Sequence, residues 1–138
     1  MSILTSFDNS LNVAVIGASG GLGKAFVDIL KSAPNIDKIY AFARSQIEFD
    51  NSKVTVGKID ITDKQSISEA AAQITEKLDL IIVATGILHD ADIQPEKSLR
   101  DLNMEKFAHI FAVNSSGPAL IAKYFISKLK RDQKAVFA

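Results

Sequence analysis

The chain has 138 residues, 47% of them hydrophobic and 23% charged, an ordinary globular composition at a length that supports one core rather than two. Sixteen Lys and Arg side chains balance sixteen Asp and Glu, so no net field draws the molecule onto nucleic acid or an anionic membrane, and a small-molecule partner is expected. The absence of cysteine excludes disulfides, thiolate zinc sites and cysteine nucleophiles, and two histidines leave no metal site to expect.

The N-terminal stretch MSILTSFDNSLN has neither a basic n-region nor an apolar h-region, and no run approaches the roughly 18 apolar residues of a membrane helix. A cytoplasmic protein is expected. Asn12 to Ile16 (NVAVI) reads as a buried strand ending at Gly17. Leu22, Phe26, Ile29 and Leu30 then recur at helical spacing until Pro34 stops the helix. Lys38 to Ala43 is a second strand, and Val54 and Val56 mark a third that ends near Ile59. Thr62 or Asp63 can cap a helix with Ile67, Ala71, Ile74 and Leu78 on its apolar face.

Asp79 to Thr85 (DLIIVAT) is a fourth strand, apolar enough to be covered on both faces. A loop containing Pro95 leads to a long helical pattern from about Asn103 to Arg131, with Phe107, Ile110, Phe111, Leu120, Ile121, Phe125 and Leu129 as its apolar positions. Lys128, Lys130 and Arg131 suit its negative C-terminal end. KAVFA opens a fifth strand. Alternating strands and helices predict an α/β doubly wound parallel sheet of Rossmann type, one domain over residues 1–138, incomplete at its C-terminal side within or after the fifth strand.

The stretch VIGASGGLGKAF joins the first strand to the first helix. Its glycines fit Gly17-x-x-x-Gly21-x-Gly23 and equally Gly17-x-x-Gly20-x-x-Gly23, not G-x-G-x-x-G and not a Walker A loop. Either spacing permits a tight turn and brings a pyrophosphate onto the N-H groups and positive end of a helix, with Ser19 and Leu22 in the same loop. After the second strand, where an Asp or Glu would bind the ribose of NAD, the chain has Ala43-Arg44-Ser45. Arg44 suits a 2'-phosphate, so NADP(H) is favoured over NAD(H), against the alternative of a solvated surface arginine.

These motifs resemble the short-chain dehydrogenase/reductase family, whose glycine element reads T-G-x-x-x-G-x-G, with Ile16 here in place of the threonine. The resemblance implies an adenine-binding role for Asp60 and Ile61, alongside which Asp60 also competes as a helix cap. It sets Ala84-Thr85-Gly86 in place of the family's N-A-G element, Ala84 standing where asparagine is usual. It also implies that Asn114, in FAVNSSG, is the catalytic asparagine. Pro118 has no N-H to give the Asn114 carbonyl, and Gly117 eases a bend, which leaves that carbonyl free for a water.

Tyr124-Phe-Ile-Ser-Lys128 matches the family's Y-x-x-x-K dyad by letter, but it lies on the Asn114 helix rather than the next long one, and it is read as structural. The catalytic serine and Tyr-Lys pair are expected beyond Ala138. The resemblance then implies an oxidoreductase passing hydride between nicotinamide and a carbonyl or alcohol, with the 138 residues inactive by themselves and the 103–131 helix a face for self-association. Two alternatives stand beside it: a noncatalytic NADP(H)-binding sensor or interaction module, and the family's extended, sugar-nucleotide-modifying branch. His89 is a candidate to approach a substrate, and His109 is placed on the solvated side of its helix.

Overall fold

Each apolar run of the sequence becomes a strand of one parallel sheet. The computed structural model of the chain describes residues 1–7 and 10–138, with strands β1 (Leu11–Ile16), β2 (Ile36–Ala43), β3 (Val54–Lys58), β4 (Leu80–Val83) and β5 (Val136–Phe137). Their order is β3-β2-β1-β4-β5 and every pairing is parallel. This is the expected doubly wound, Rossmann-type arrangement, in which the chain reverses direction across the sheet at β1 and β4.

Alternation along the strands builds the two faces. Val13 and Val15 of β1 join Ile39 and Ala41 of β2 under Val27 and Leu30 of α1 (Gly21–Ser32). The intervening residues, Ala14, Ile16, Tyr40 and Phe42, face the other way. They pack against Ile67 and Ala71 of α2 (Lys64–Ala72) and against Ile121 and Phe125 further along the chain. There Phe42 and Phe125 meet edge to face at 5.9 Å between centroids, a geometry worth about 0.5–1.5 kcal/mol beyond the area it buries.

The long helix predicted over 103–131 is instead several pieces. Asn103 caps α3 (Met104–Phe111) by accepting from the N-H groups of Glu105 and Lys106. A π-helical turn over Ala112–Ser116 follows, then α4 (Gly117–Phe125) and a 3-10 turn that ends at Lys128. The widened turn sits where Pro118 withholds an N-H from Asn114, and the Gly117 N-H reaches back to the carbonyl of Ala112. Gly117 is also the residue that touches Ile61: a Cβ there would lie 3.0 Å from Ile61 Cδ1 and 2.9 Å from the Ala112 carbonyl oxygen.

Four further sequence expectations need correction. α2 ends at Ala72, so Ile74 and Leu78, expected on its apolar face, are buried beyond the helix instead. Leu129 is not helical but extended and bridged to Leu78, so Lys130 serves Asp79, at 2.8 Å, rather than a helix end. On α1 the buried positions are Gly23, Val27 and Leu30, while Leu22 and Ile29 are 64% and 57% exposed. On α3 no residue is fully buried, and Phe111 is 60% exposed.

Candidate functional site

The carboxyl ends of β1 to β4 surround one cleft of about 310 Å³, at the small end of the range for ligand pockets. Gly17, Ser19 and Gly20 form its floor, Arg44, Asp60 and Thr62 one wall, and Thr85, Gly86, Ile87, His109 and Val113 the other. Ala43, Ile59, Ile61 and Ala84 complete the lining.

The floor is built from backbone. The N-H groups of Gly17 and Ala18 both donate to the Phe42 carbonyl, at 2.8 and 2.9 Å, which turns the chain sharply out of β1. Gly17 has φ +91°, a left-handed conformation that favours glycine, and a Cβ there would stand 2.8 Å from the Ala84 carbonyl oxygen. Gly23 is tighter still, since a Cβ would meet the Gly17 carbonyl oxygen at 2.0 Å. It does not line the cleft but lets α1 press onto the turn. Gly20 is the N-cap of α1 and supplies no side-chain acceptor, so the first N-H groups of that helix stay available to an anion. A Cβ on Gly21 would meet nothing within 4 Å, Leu22 is exposed, and neither belongs to the lining.

Arg44 follows Ala43 at the end of β2, and Ala43 pairs in register with Lys58 of β3. Arg44 therefore borders both the cleft and an adjoining hollow of about 370 Å³ that Ser45 and Lys58 also line. Asp60 takes two bonds from Thr62 on one oxygen, Oδ1: from the hydroxyl at 2.6 Å and from the backbone N-H at 2.9 Å. Those bonds, hydroxyl first, hold its carboxyl below the usual carboxylate range, and the charges of Arg44 and Lys58 act in the same direction. The competing capping role falls to Asp63, whose carboxylate accepts from the Gln65 N-H at 2.9 Å.

Asn114 stands beside the cleft rather than in its lining. Its Oδ1 accepts from the Ile87 N-H at 2.8 Å and its Nδ2 donates to the Ile87 carbonyl at 2.7 Å, a two-bond clamp that ties the π-helical turn to the chain leaving β4. The sequence, which pointed to the Asn114 carbonyl, gave no sign of this side-chain role. Thr85 Oγ1 is buried in the lining without a hydrogen-bond partner among the described residues; Glu96 Oε1, outside the cleft, is in the same condition. An orphaned hydroxyl and an uncapped helix start reached through a tight glycine turn suit a dinucleotide's hydroxyls and pyrophosphate.

The Tyr124/Lys128 pair is at the opposite edge of the sheet. Lys128 Nζ donates to the Ile74 carbonyl at 3.2 Å, ahead of β4, and Tyr124 packs on the core. His89 is exposed and does not line the cleft. His109 borders the cleft while its side chain stays 42% exposed, in keeping with a solvated position on its helix, and its Nε2 lies 3.0 Å from Asp90 Oδ2. Among the described residues no three His, Cys, Asp or Glu side chains cluster to hold a metal, and no helix is long and apolar enough to cross a membrane.

Comparison with solved structures returns the same architecture. An NADPH-bound carbonyl reductase from chicken fatty liver matches with a TM-score of 0.75 at 21% identity, over 88% of this chain and 49% of that one. A short chain dehydrogenase family protein from Francisella tularensis matches at 0.76 and 26%, over 93% and 50%. A short chain dehydrogenase from Burkholderia cenocepacia in complex with NADP matches at 0.72 and 24%, over 87% and 48%. This chain thus spans about half the length of these proteins. A search of curated protein sequences found no match. The family model for short chain dehydrogenase matches residues 11–136, nearly the whole chain, and the chain belongs to the short-chain dehydrogenase/reductase family.

Proposed function

We propose that the chain is the nucleotide-binding portion of an oxidoreductase that uses NADP(H) in preference to NAD(H) and acts on a carbonyl or alcohol. The observation that carries this reading is that the glycine turn, Arg44 and Asp60, which the sequence singles out separately, line a single cleft at the carboxyl ends of the strands. In this reading the α1 N-terminus and the Gly17–Gly23 turn bind the pyrophosphate, Thr85 Oγ1 gains its missing partner, and Asp60 offers an acceptor to the adenine amine. Arg44, with Ser45 beside it, holds the 2'-phosphate through charge-assisted bonds worth about 1.5–3 kcal/mol each. When bound, the nicotinamide supplies hydride to a carbonyl carbon or takes it from an alcohol. Asn114 keeps the segment after β4 in place through Ile87 while leaving its own carbonyl without a Pro118 donor. The exposed Met104 and Phe111 of α3 support self-association through the 103–131 segment.

The test is a calorimetric titration of the protein with NADPH and NADH, repeated for Arg44→Ala. Wild type is expected to bind NADPH about tenfold or more tightly than NADH, and Arg44→Ala to weaken NADPH about ten- to a hundredfold while leaving NADH within about twofold. Equal affinity of wild type for both coenzymes would overturn the NADP preference. Failure to bind either would overturn the nucleotide-binding reading itself.

A further inference from the structure

The His109–Asp90 pair has no part in the function proposed above. Its two members come from different elements: His109 from α3, Asp90 from the irregular segment after β4. Nε2 of His109 lies 3.0 Å from Asp90 Oδ2. Asp90 is fixed on its other oxygen, where Oδ1 accepts from the N-H groups of Asp92 at 2.9 Å and Ile93 at 2.8 Å, and its own N-H donates to the Ile93 carbonyl. These backbone bonds, more than His109, hold the Asp90 carboxyl below the usual range and keep it ionised. Beside an ionised Asp90, Nε2 is a nitrogen that carries a proton and donates it to Oδ2. The imidazole is thus oriented by a carboxylate that is itself anchored to backbone.

The fold also relates His109 to the residues that follow β3, with which it shares the cleft. Gly117 sits directly on Ile61, and Val113 belongs to the same core cluster as Ile61. His109 lies one turn before Val113 on the same helix face and lines the same cleft. This stripe therefore starts at Gly117 on Ile61, next to Asp60 and Thr62 in sequence, and enters the cleft at Val113 and His109. Arg44 borders this space too, and the ribose that carries a 2'-phosphate is the adenosine one.

We propose that His109, held by Asp90, forms the second wall of the adenosine end of the cleft, across from Asp60 and Thr62, and contacts the base and ribose of the bound dinucleotide there. This inference rests on the nucleotide-binding reading above. His109 is a binding residue in it, and Asp90 a positioning residue that acts through the ring.

The probe is adenosine 2',5'-bisphosphate, which carries the adenosine half of NADPH without the nicotinamide. His109→Ala is expected to raise the Kd of this compound and of NADPH by the same factor, about three- to tenfold, and Asp90→Asn to raise both by less. In wild type, the His109 ring resonances in nitrogen-15 spectra are expected to shift on adding the bisphosphate, a readout that needs no variant to fold. Unmoved ring resonances, or a His109→Ala Kd equal to wild type for both compounds, would overturn the inference while the nucleotide-binding reading stands. So would a loss of NADPH affinity with the bisphosphate unaffected, which would put His109 at the nicotinamide end. If wild type binds neither compound, both readings fall together.

Discussion

The two edges of this sheet are finished in opposite ways. At the amino edge polar groups meet partners within the chain. Asp79, only 1% exposed, accepts from the Asn12 N-H at 2.9 Å, from Gln133 at 3.2 Å and from Lys130 at 2.8 Å. Asn35 exchanges two bonds with the backbone of Ile3, and Lys53 Nζ caps the Ala33 carbonyl after α1. At the carboxyl edge Asp60 and Asn114 are also bonded within the chain, but two groups are left open: α1 starts without a side-chain cap, and Thr85 Oγ1 is buried without a partner among the described residues. A buried polar group left unpaired costs about 1–3 kcal/mol, which the proposed ligand would offset at Thr85. On the proposed reading the amino edge holds the sheet together and the carboxyl edge is kept for binding, and substitutions at the two should separate stability from affinity.

The largest effect is expected where that separation breaks down. Gly23 belongs to the carboxyl edge by sequence, yet its role is packing, because a Cβ would lie 2.0 Å from the Gly17 carbonyl oxygen, a backbone atom with little freedom to move. Gly23→Ala must push α1 off the turn and should cost about 4 kcal/mol or more, with NADPH binding lost as the floor of the cleft distorts. Thermal unfolding by circular dichroism measures it, and a melting temperature within about 2 °C of wild type would show that the turn yields easily.

Asp79→Ala comes next and tests the amino edge alone. It leaves Lys130 without its buried counter-ion and the Asn12 N-H without its acceptor, a loss of about 3–5 kcal/mol by the usual cost of breaking a buried pair. Urea unfolding should show the loss, and the NADPH affinity of the folded protein should not change. A weakened affinity at unchanged stability would reverse the assignment of the two edges.

How much of this was legible in the sequence depends on the distance over which each feature is made. The strand and helix order and the glycine turn are local: NVAVI ahead of Gly17 needs no tertiary information to read as a strand entering a turn. Arg44 and Asp60 were legible because they fall one and two residues past the end of a strand, and parallel strands end together. The break in the 103–131 helix was half legible, since Pro118 marks the place, but the pull of Leu78 on Leu129 comes from a strand pair far away in sequence. Local pattern misled on Leu22 and Ile29, because their helical spacing is sound yet Gly23, a residue with no side chain, sits at the centre of the packed face. The contact of His109 with Asp90 and the grip of Asn114 on Ile87 had no local signal, each spanning an irregular stretch whose path is set by the packed helices.

The smallest effect is expected two residues before Gly23. A Cβ on Gly21 meets nothing within 4 Å, so the folded chain has no steric need for glycine there, and alanine in a helix is better than glycine by up to about 1 kcal/mol. Gly21→Ala should therefore leave the melting temperature unchanged or slightly raised. If the first turn of α1 is where the pyrophosphate rests, the added methyl stands between the backbone N-H groups and the phosphates, and the NADPH Kd should rise although nothing in the folded chain has been disturbed. A Kd equal to that of wild type would mean that the phosphates sit deeper, over Gly17 and Ser19, and that the open space beside Gly21 faces only water.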